Sequence, residues 1–299
     1  MRLGSAPITW GVCEMEGWGE RLPFNQVLDE IAACGYAGTE LGPPGYLPTD
    51  PRALRHELES RHLAPVGSFC PVTLHRGADA ARSRAEARAL AELLAAAGAR
   101  FLVLADAGSE ERLASAGRLP SNASASFDDD EWARFADAAN GIAADAAALG
   151  IRAVFHPEAG SYVETEAEIE RLLSLTDPSL LGLCLDTGHV AYGGGDPAAL
   201  AGRHRARVEH VHAKDVDPEV LRHVRHEPLT YLDAAAAGIF VPAGRGMIDF
   251  SAVFRVLDLP RADLWVIVEQ DIRIGGVFMP QDPAANARAS REHLLRLAG

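Results

Sequence analysis

Cysteine is scarce in this chain, and its few occurrences form no recognisable motif. Cys13, Cys34, Cys70 and Cys184 are widely separated, and no two of them have C-x-x-C spacing. A disulfide framework and a zinc finger are therefore excluded as the basis of the fold, and reduced thiols in a cytoplasmic protein are predicted. At 299 residues the chain is long enough to bury a core without covalent cross-links.

Basic residues are also under-represented. Lys and Arg number 28 against 42 Asp and Glu, which gives a formal net charge of -14 at pH 7. Nucleic acids and anionic membrane surfaces attract basic faces, so we expect neither as a partner and predict a small polar substrate instead. No apolar run is as long as a membrane-spanning helix, and the first ten residues lack a signal-peptide core, which also favours the cytoplasm.

A glycine-rich dinucleotide-binding turn is missing as well. No G-x-G-x-x-G follows the first predicted strand, which argues against a doubly wound open sheet. The chain instead alternates short apolar runs with longer helical patterns. The predicted strands are residues 6–10, 37–41, 65–69, 101–105, 153–156, 180–185, 208–212 and 264–269. The predicted helices are residues 24–34, 51–61, 78–97, 128–149, 166–175, 197–203, 250–257 and 283–297.

This series of strand-helix pairs predicts an α/β fold, a single (β/α)8 TIM barrel that forms one domain over residues 1–299. Two stretches exceed ordinary loop length, near residues 107–126 and 216–243. Long loops on a barrel are usually lids or flexible insertions, so we expect that role for both.

Chemically reactive side chains follow almost every predicted strand. In a β/α barrel the carboxyl ends of the strands converge on one face, so these side chains are expected to meet. Several carboxylates would repel one another there at low dielectric, which predicts a bound divalent cation. The side chains concerned are Trp10, Glu40, Phe69, Asp106, His156, Glu158, Asp186, His189, His210, His212, Lys214, Glu269 and Asp271.

Five motifs in order carry a resemblance to a known family. They read APITWGVCE, FHPEAGSYVET, LCLDTGH, HVHAKD and VIVEQD. Together they are similar to the xylose isomerase-like β/α barrels, which include sugar epimerases, inosose dehydratases and the endonuclease IV branch. The opening motif, ELGPPGYLP and LCLDTGHVAYGGGDP look most like the inosose dehydratase branch.

The resemblance implies a metal site formed by Asp186, His212 and Glu269, with a further ligand at the end of the fifth strand. Many relatives have Glu at the position of His156, whereas this chain has His156 there and Glu158 two residues later. Both stay candidate ligands. Oxygen and imidazole donors without a thiolate favour one Mn or Co ion, with Mg, Fe or Zn as alternatives.

The resemblance also implies a metal-dependent lyase or isomerase that acts on a keto-polyol such as inosose through an enediolate. Glu158 or Glu269 is the predicted base, and His189 is the predicted proton donor to a departing hydroxyl. The predicted substrate-binding residues are Trp10, Glu40, Phe69, His189 and Lys214.

The same residues are also compatible with other functions. An epimerase or ketose isomerase would use the same site, and a non-catalytic sugar-binding accessory barrel would have lost it. Cleavage of damaged DNA is disfavoured by the acidic charge. By family analogy we expect a homodimer or homotetramer.

Overall fold

Parallel strands form a near-closed barrel in the computed structural model, which describes residues 1–15, 18–118, 126–259, 263–274 and 282–298. The fold class predicted from the sequence is confirmed. The strands are β1 (Arg2–Ser5), β2 (Gly38–Thr39), β3 (Ala64–Pro65), β4 (Gly67–Val72), β5 (Phe101–Asp106), β6 (Arg152–Phe155), β7 (Leu181–Asp186), β8 (Val208–Ala213), β9 (Asp215–Val216), β10 (Phe240–Val241) and β11 (Trp265–Val268).

Closure of the barrel depends on one residue between β3 and β4. The sheet runs in the order β3-β2-β1-β11-β8-β7-β6-β5-β4, so β3 and β4 stand at its two ends. Val66 joins them: its N–H donates to Thr39 O over 2.9 Å, and its carbonyl accepts from Phe101 N over 3.0 Å. Since β3 and β4 are two halves of one strand, the nine segments fill eight strand positions.

Helices surround this sheet, and most begin at a side chain that caps them. Asp128 and Thr165, for example, each form a capping box with a Glu three residues later. The helices are α1 (Phe24–Ala33), α2 (Pro51–Glu59), α3 (Gly77–Ala97), α4 (Glu110–Ser115), α5 (Asp129–Ala148), α6 (Glu166–Leu175), α7 (Thr187–Tyr192), α8 (Pro197–Arg203), α9 (Pro218–His226), α10 (Tyr231–Ala236), α11 (Phe250–Leu257) and α12 (Pro283–Ala298).

The first predicted strand, at residues 6–10, is wrong. The strand is Arg2–Ser5, and Pro7–Trp10 forms a 3₁₀ turn. The apolar pattern missed this strand because it contains Gly4 where a large side chain would normally stand. A Cβ atom there would lie 2.7 Å from Ile267 Cδ1 and 2.9 Å from Gly38 O, so close packing requires glycine.

The insertion at residues 216–243 is folded, so of the two expected roles, a lid or a flexible insertion, the flexible one is wrong. It contains α9 and α10 between β9 and β10, which pair in antiparallel fashion. Its apolar side chains form a cluster with Trp18 and Ala116, separate from the barrel core. The insertion is therefore a packed cover on one part of the barrel.

The other predicted loop contains helix α4, and its residues 119–125 lie outside the described part of the chain. All four cysteines are buried and unpaired, in agreement with the prediction of free thiols. Among the described residues, no helix combines the length and the apolar character needed to cross a membrane.

Candidate metal-binding and catalytic site

A cavity of about 250 Å³ opens where the carboxyl ends of the strands converge. Strand ends supply its polar wall, and segments outside the barrel strands supply most of its apolar wall. The polar wall contains Glu40, Asp106, His156, Glu158, His189, His212, Lys214, Glu269 and Asp271, and the apolar wall contains Ile8, Val12, Trp18, Phe69, Leu113 and Tyr231.

Four side chains form a compact cluster beside this cavity, which we call the tetrad: His156, Asp186, His212 and Glu269. They lie at or just beyond the carboxyl ends of the adjacent strands β6, β7, β8 and β11, and all four are buried. One potential ligand atom from each lies within 4.8 Å of those of the others. Two imidazoles and two carboxylates at this spacing can hold a divalent metal ion.

The ring of His212 provides a test of whether a cation fits. Its Nε2 lies 3.1 Å from Glu40 Oε1 and donates to that oxygen. Its Nδ1 makes no hydrogen bond, although Glu269 Oε2 and Asp186 Oδ2 lie only 3.2 and 3.7 Å away. Burial alone would lower the pKa of His212, but the neighbouring Cys184, Glu269 and Glu40 raise it well above the ordinary value, so this position attracts positive charge. A divalent cation bound to Nδ1 would supply that charge in place of the ring proton, so the donor set fits a metal.

Glu158 lies next to the tetrad rather than within it. Its Oε2 is 3.1 Å from His156 Nδ1, and its Oε1 is 3.3 Å from His189 Nε2. The side chain is 23% exposed, whereas those of the tetrad are nearly inaccessible. Burial favours the neutral form of Glu158, but the neighbouring His189 and His156 lower its pKa below the ordinary value. Glu158 is therefore an ionised carboxylate at the cavity wall.

His189 is held in one orientation by its backbone and by its ring. Its backbone N–H donates to Asp186 Oδ1 over 2.7 Å, because Asp186 caps α7. Its Nδ1 accepts from the Ala159 N–H over 3.0 Å, so a neutral ring must carry hydrogen on Nε2. That nitrogen is the one that points to Glu158. The ring stacks at 6.0 Å on Tyr231.

Lys214 supplies a fixed positive charge among the carboxylates. Its Nζ lies 2.8 Å from Asp271 Oδ1, 3.2 Å from Glu269 Oε2 and 3.3 Å from Asp186 Oδ2. Burial alone would lower the pKa of Lys214, but the charges of Asp186, Asp271 and Glu269 raise it well above the ordinary value. Nζ is also 2.9 Å from His189 Nε2, so Lys214 stands beside both His189 and the carboxylates.

Four of the five predicted substrate-binding residues line the cavity, namely Glu40, Phe69, His189 and Lys214. Phe69 lines it and presents its ring edge-on to His156, with the ring centres 5.9 Å apart. Glu40 lines it too, but its Oε1 accepts hydrogen bonds from His210 and His212.

Trp10 lies elsewhere, which corrects the sequence expectation. Its ring is fully buried and its Nε1–H donates to Glu30 over 2.7 Å. The 3₁₀ turn, absent from the prediction, directs Trp10 away from the cavity, and Ile8 of the same turn lines the cavity instead.

Sequence reasoning missed the contributions of Trp18, Leu113 and Tyr231 to this site. Tyr231 stands at the start of α10, and its hydroxyl donates to Asp271 Oδ2 over 2.6 Å. The capping pair Thr230 and Asp233 could have revealed the helix, but no local signal shows that the helix returns to the cavity.

A parallel β/α barrel with buried imidazoles and carboxylates between its strand ends defines a class: TIM barrels with a candidate metal centre at the carboxyl face. Within that class, the chain belongs to the xylose isomerase-like TIM barrel family, whose model matches residues 28–297.

Relatives with curated names are similar over almost the whole chain. An inosose dehydratase of Lacticaseibacillus casei is 33% identical over 95% of this chain and 91% of its own length. An inosose dehydratase of Geobacillus kaustophilus (strain HTA426) is 33% identical over 99% of this chain and 94% of its own length. Among solved structures, the zinc-bound IOLI protein superposes with a TM-score of 0.71 at 16% identity, covering 100% of this chain and 98% of its own, which shows the fold.

Proposed function

We propose that this protein is a divalent metal-dependent dehydratase that removes water from a keto-polyol of the inosose type. The observation that carries the proposal is the contact between Glu158 Oε1 and His189 Nε2, 3.3 Å apart, directly beside the tetrad. The 33% identity to inosose dehydratases over nearly the full length supports the choice of substrate.

The tetrad residues His156, Asp186, His212 and Glu269 are the proposed ligands. A divalent ion bound there, with Mn or Co as our choice, would supply Lewis acidity that stabilises negative charge on the substrate carbonyl oxygen. Every side chain of the tetrad is buried, so water competes little for these positions. Lys214 adds a permanent positive charge beside Asp186 and Glu269.

Glu158 is the proposed base. The sequence left Glu158 and Glu269 as alternatives, and we now favour Glu158 because Glu269 belongs to the tetrad. A base must be ionised and must reach the substrate, and Glu158 has a lowered pKa and an exposed edge at the cavity. It would take the proton from the carbon next to the ketone, and the electron pair of that C–H bond would form the enediolate.

His189 is the proposed acid for the second half of the reaction. Its Nε2–H points to the same region as Glu158, while the Ala159 N–H keeps Nδ1 occupied. Collapse of the enediolate would expel the β-hydroxyl group, and the proton of His189 would convert it to water. Overall, the substrate loses one water molecule and gains one carbon-carbon double bond. The proton that Glu158 has taken then passes to His189 Nε2 across their 3.3 Å contact, which restores both groups.

The charge of the cavity favours an uncharged substrate. Its lining includes the carboxylates Glu14, Asp106, Glu158 and Asp271, and no arginine lines it among the described residues. A phosphate or carboxylate group on the substrate would be repelled and would lack the bidentate partner that arginine provides. Apolar side chains, including Trp18, offer a surface for the face of a polyol ring.

An assay with inosose tests the proposal. The metal-loaded protein should generate an ultraviolet-absorbing enone product, EDTA should abolish this activity, and Mn or Co should restore it. Full activity after verified metal removal would contradict the metal-dependent mechanism. In deuterated water, deuterium uptake without loss of water would instead support the epimerase or ketose isomerase alternative. Absence of metal binding, with no gain in melting temperature from Mn, would support the accessory barrel.

A further inference from the structure

We infer that Glu40 is a positioning residue of the metal centre: its carboxylate fixes the ring of His212 so that Nδ1 faces the other tetrad residues. The inference rests on the proposed function, because it takes His212 as a metal ligand. It also assigns Glu40 a role different from the direct substrate binding predicted from the sequence.

One oxygen of the Glu40 carboxylate accepts hydrogen bonds from two imidazole rings. Glu40 follows β2, while His210 and His212 lie on β8, so the contact crosses the barrel interior. Glu40 Oε1 is 2.7 Å from His210 Nε2 and 3.1 Å from His212 Nε2. All three side chains are at most 2% exposed. The arrangement is therefore shielded from water, which would otherwise compete for both hydrogen bonds.

The chemistry of these groups fixes which nitrogen is free. An ionised carboxylate only accepts hydrogen bonds, so both Nε2 atoms must donate. A neutral imidazole that carries hydrogen on Nε2 has its lone pair on Nδ1. Nδ1 of His212 makes no hydrogen bond and lies 3.2 Å from Glu269 Oε2. Glu40 thereby selects Nδ1 as the ligand atom of His212.

A space-filling role alone does not account for this residue. A leucine at position 40 would fill the interior without the cost of burying a charge, but it would leave the Nε2–H groups of His210 and His212 without this acceptor. A carboxylate behind a ligand imidazole also increases the electron density on the nitrogen that binds the metal.

The test measures Mn(II) affinity by competition with a chelator in the full-length protein, in wild type, Glu40→Gln and Glu40→Leu. Loss of such a partner typically weakens metal binding by about 10- to 100-fold. We expect about 100-fold for Glu40→Leu and about tenfold for Glu40→Gln, which keeps an accepting oxygen. Glu92→Gln is the matched control, since Glu92 contacts Arg88 on the surface, and its affinity should equal that of wild type.

A second readout is independent of affinity. Nitrogen-15 NMR of histidine-labelled wild type should find hydrogen on Nε2 of His210 without metal and on Nε2 of His212 in the Zn(II)-loaded protein. In Glu40→Leu we expect mixed tautomers. If that variant does not fold, Glu40→Gln and the wild-type spectra still decide the matter.

The inference is overturned if a folded Glu40→Leu variant binds Mn(II) within twofold of wild type, or if His212 carries its hydrogen on Nδ1. Tight wild-type binding together with either result would refute the role of Glu40 and leave the proposed function standing. Failure of wild type to bind Mn(II) or Zn(II) would refute both.

Discussion

The cavity has two walls of different origin. The tetrad comes from four adjacent strands, and the ladder fixes its register, for instance by pairing Asp186 with His212. The other wall, with Trp18, Leu113 and Tyr231, comes from segments that pack on one another outside the barrel. The difference indicates that the strand ends hold the chemistry in place and that the cover shapes access to it.

The largest loss of activity is expected from substitutions in the tetrad, the part of the cavity wall that the strand ends supply. Asp186→Asn removes the charge of a proposed ligand and should lower kcat/KM by about 10³-fold or more, as expected when metal-based charge stabilisation is lost. Steady-state kinetics with inosose and metal analysis of the purified variant measure this. Asp196→Asn, at an exposed helix cap, is the matched control and should keep full activity. Normal turnover by a metal-free Asp186→Asn variant would remove the tetrad from the mechanism.

His189 connects the two walls, because it follows β7 and stacks on Tyr231. His189→Gln should lower kcat by about 10²- to 10⁴-fold, the usual range for loss of a general acid, while Mn affinity changes little. The control is His204→Gln, whose ring contacts Glu170 away from the cavity. A large loss of metal binding in His189→Gln would mean that His189 is a ligand rather than a proton donor.

Acid should weaken metal binding, because protons compete with the metal for the histidine rings of the tetrad. Burial opposes protonation of His156, but the carboxylates of Asp186 and Glu158 raise the pKa of the metal-free ring to about 9. A ligand imidazole must be neutral, so protons compete with the metal below this pKa. The pKa of His212 is raised as well, so lowering the pH from about 8 to about 7 should raise the Mn dissociation constant by about tenfold for each of the two rings that loses a proton on binding. A constant affinity over this range would show that no proton leaves His156 on binding.

The smallest loss of activity is expected from substitutions in the packed cover formed by residues 216–243. Tyr231→Phe keeps the ring that packs against Trp18 but removes the hydroxyl that donates to Asp271. Loss of a hydrogen bond to a charged group costs about 1.5 to 3 kcal/mol, which a denaturation curve will detect. We expect kcat/KM to fall by about tenfold or less, because Lys214 still holds Asp271.

Tyr46→Phe is the matched control for this prediction, since its hydroxyl donates to Leu22 O. Its kinetic constants should not change. A loss of activity in Tyr231→Phe as large as that in Asp186→Asn would show that the cover takes part in the chemistry itself.

The same contrast explains how far the sequence could be read. Apolar runs that end in charged residues reveal the strands, because strand alternation is a local rule. The carboxyl ends of parallel strands in a barrel then bring Asp186, His212 and Glu269 to one face. The positions of Trp18 and Tyr231 depend on packing between distant segments, which no local pattern encodes. The sequence prediction failed at β1 for a similar reason, since Gly4 follows from contacts across the sheet.

Glu40 illustrates a further limit. Its place after a strand is evident in the sequence, yet its role depends on a contact with His210, 170 residues away along the chain. Its charge suggested a substrate contact, whereas in the structure one of its carboxylate oxygens accepts hydrogen bonds from two histidine rings.

The central claim is that the tetrad holds a single divalent ion beside Glu158 and His189. A crystal structure of the Mn-loaded protein, with anomalous diffraction recorded near the manganese edge, tests it most directly. We predict one anomalous peak coordinated by His156, Asp186, His212 and Glu269, with Glu158 outside the coordination sphere. A peak that lacks His156 and is ligated by Glu158, or no peak at the tetrad, would contradict the account.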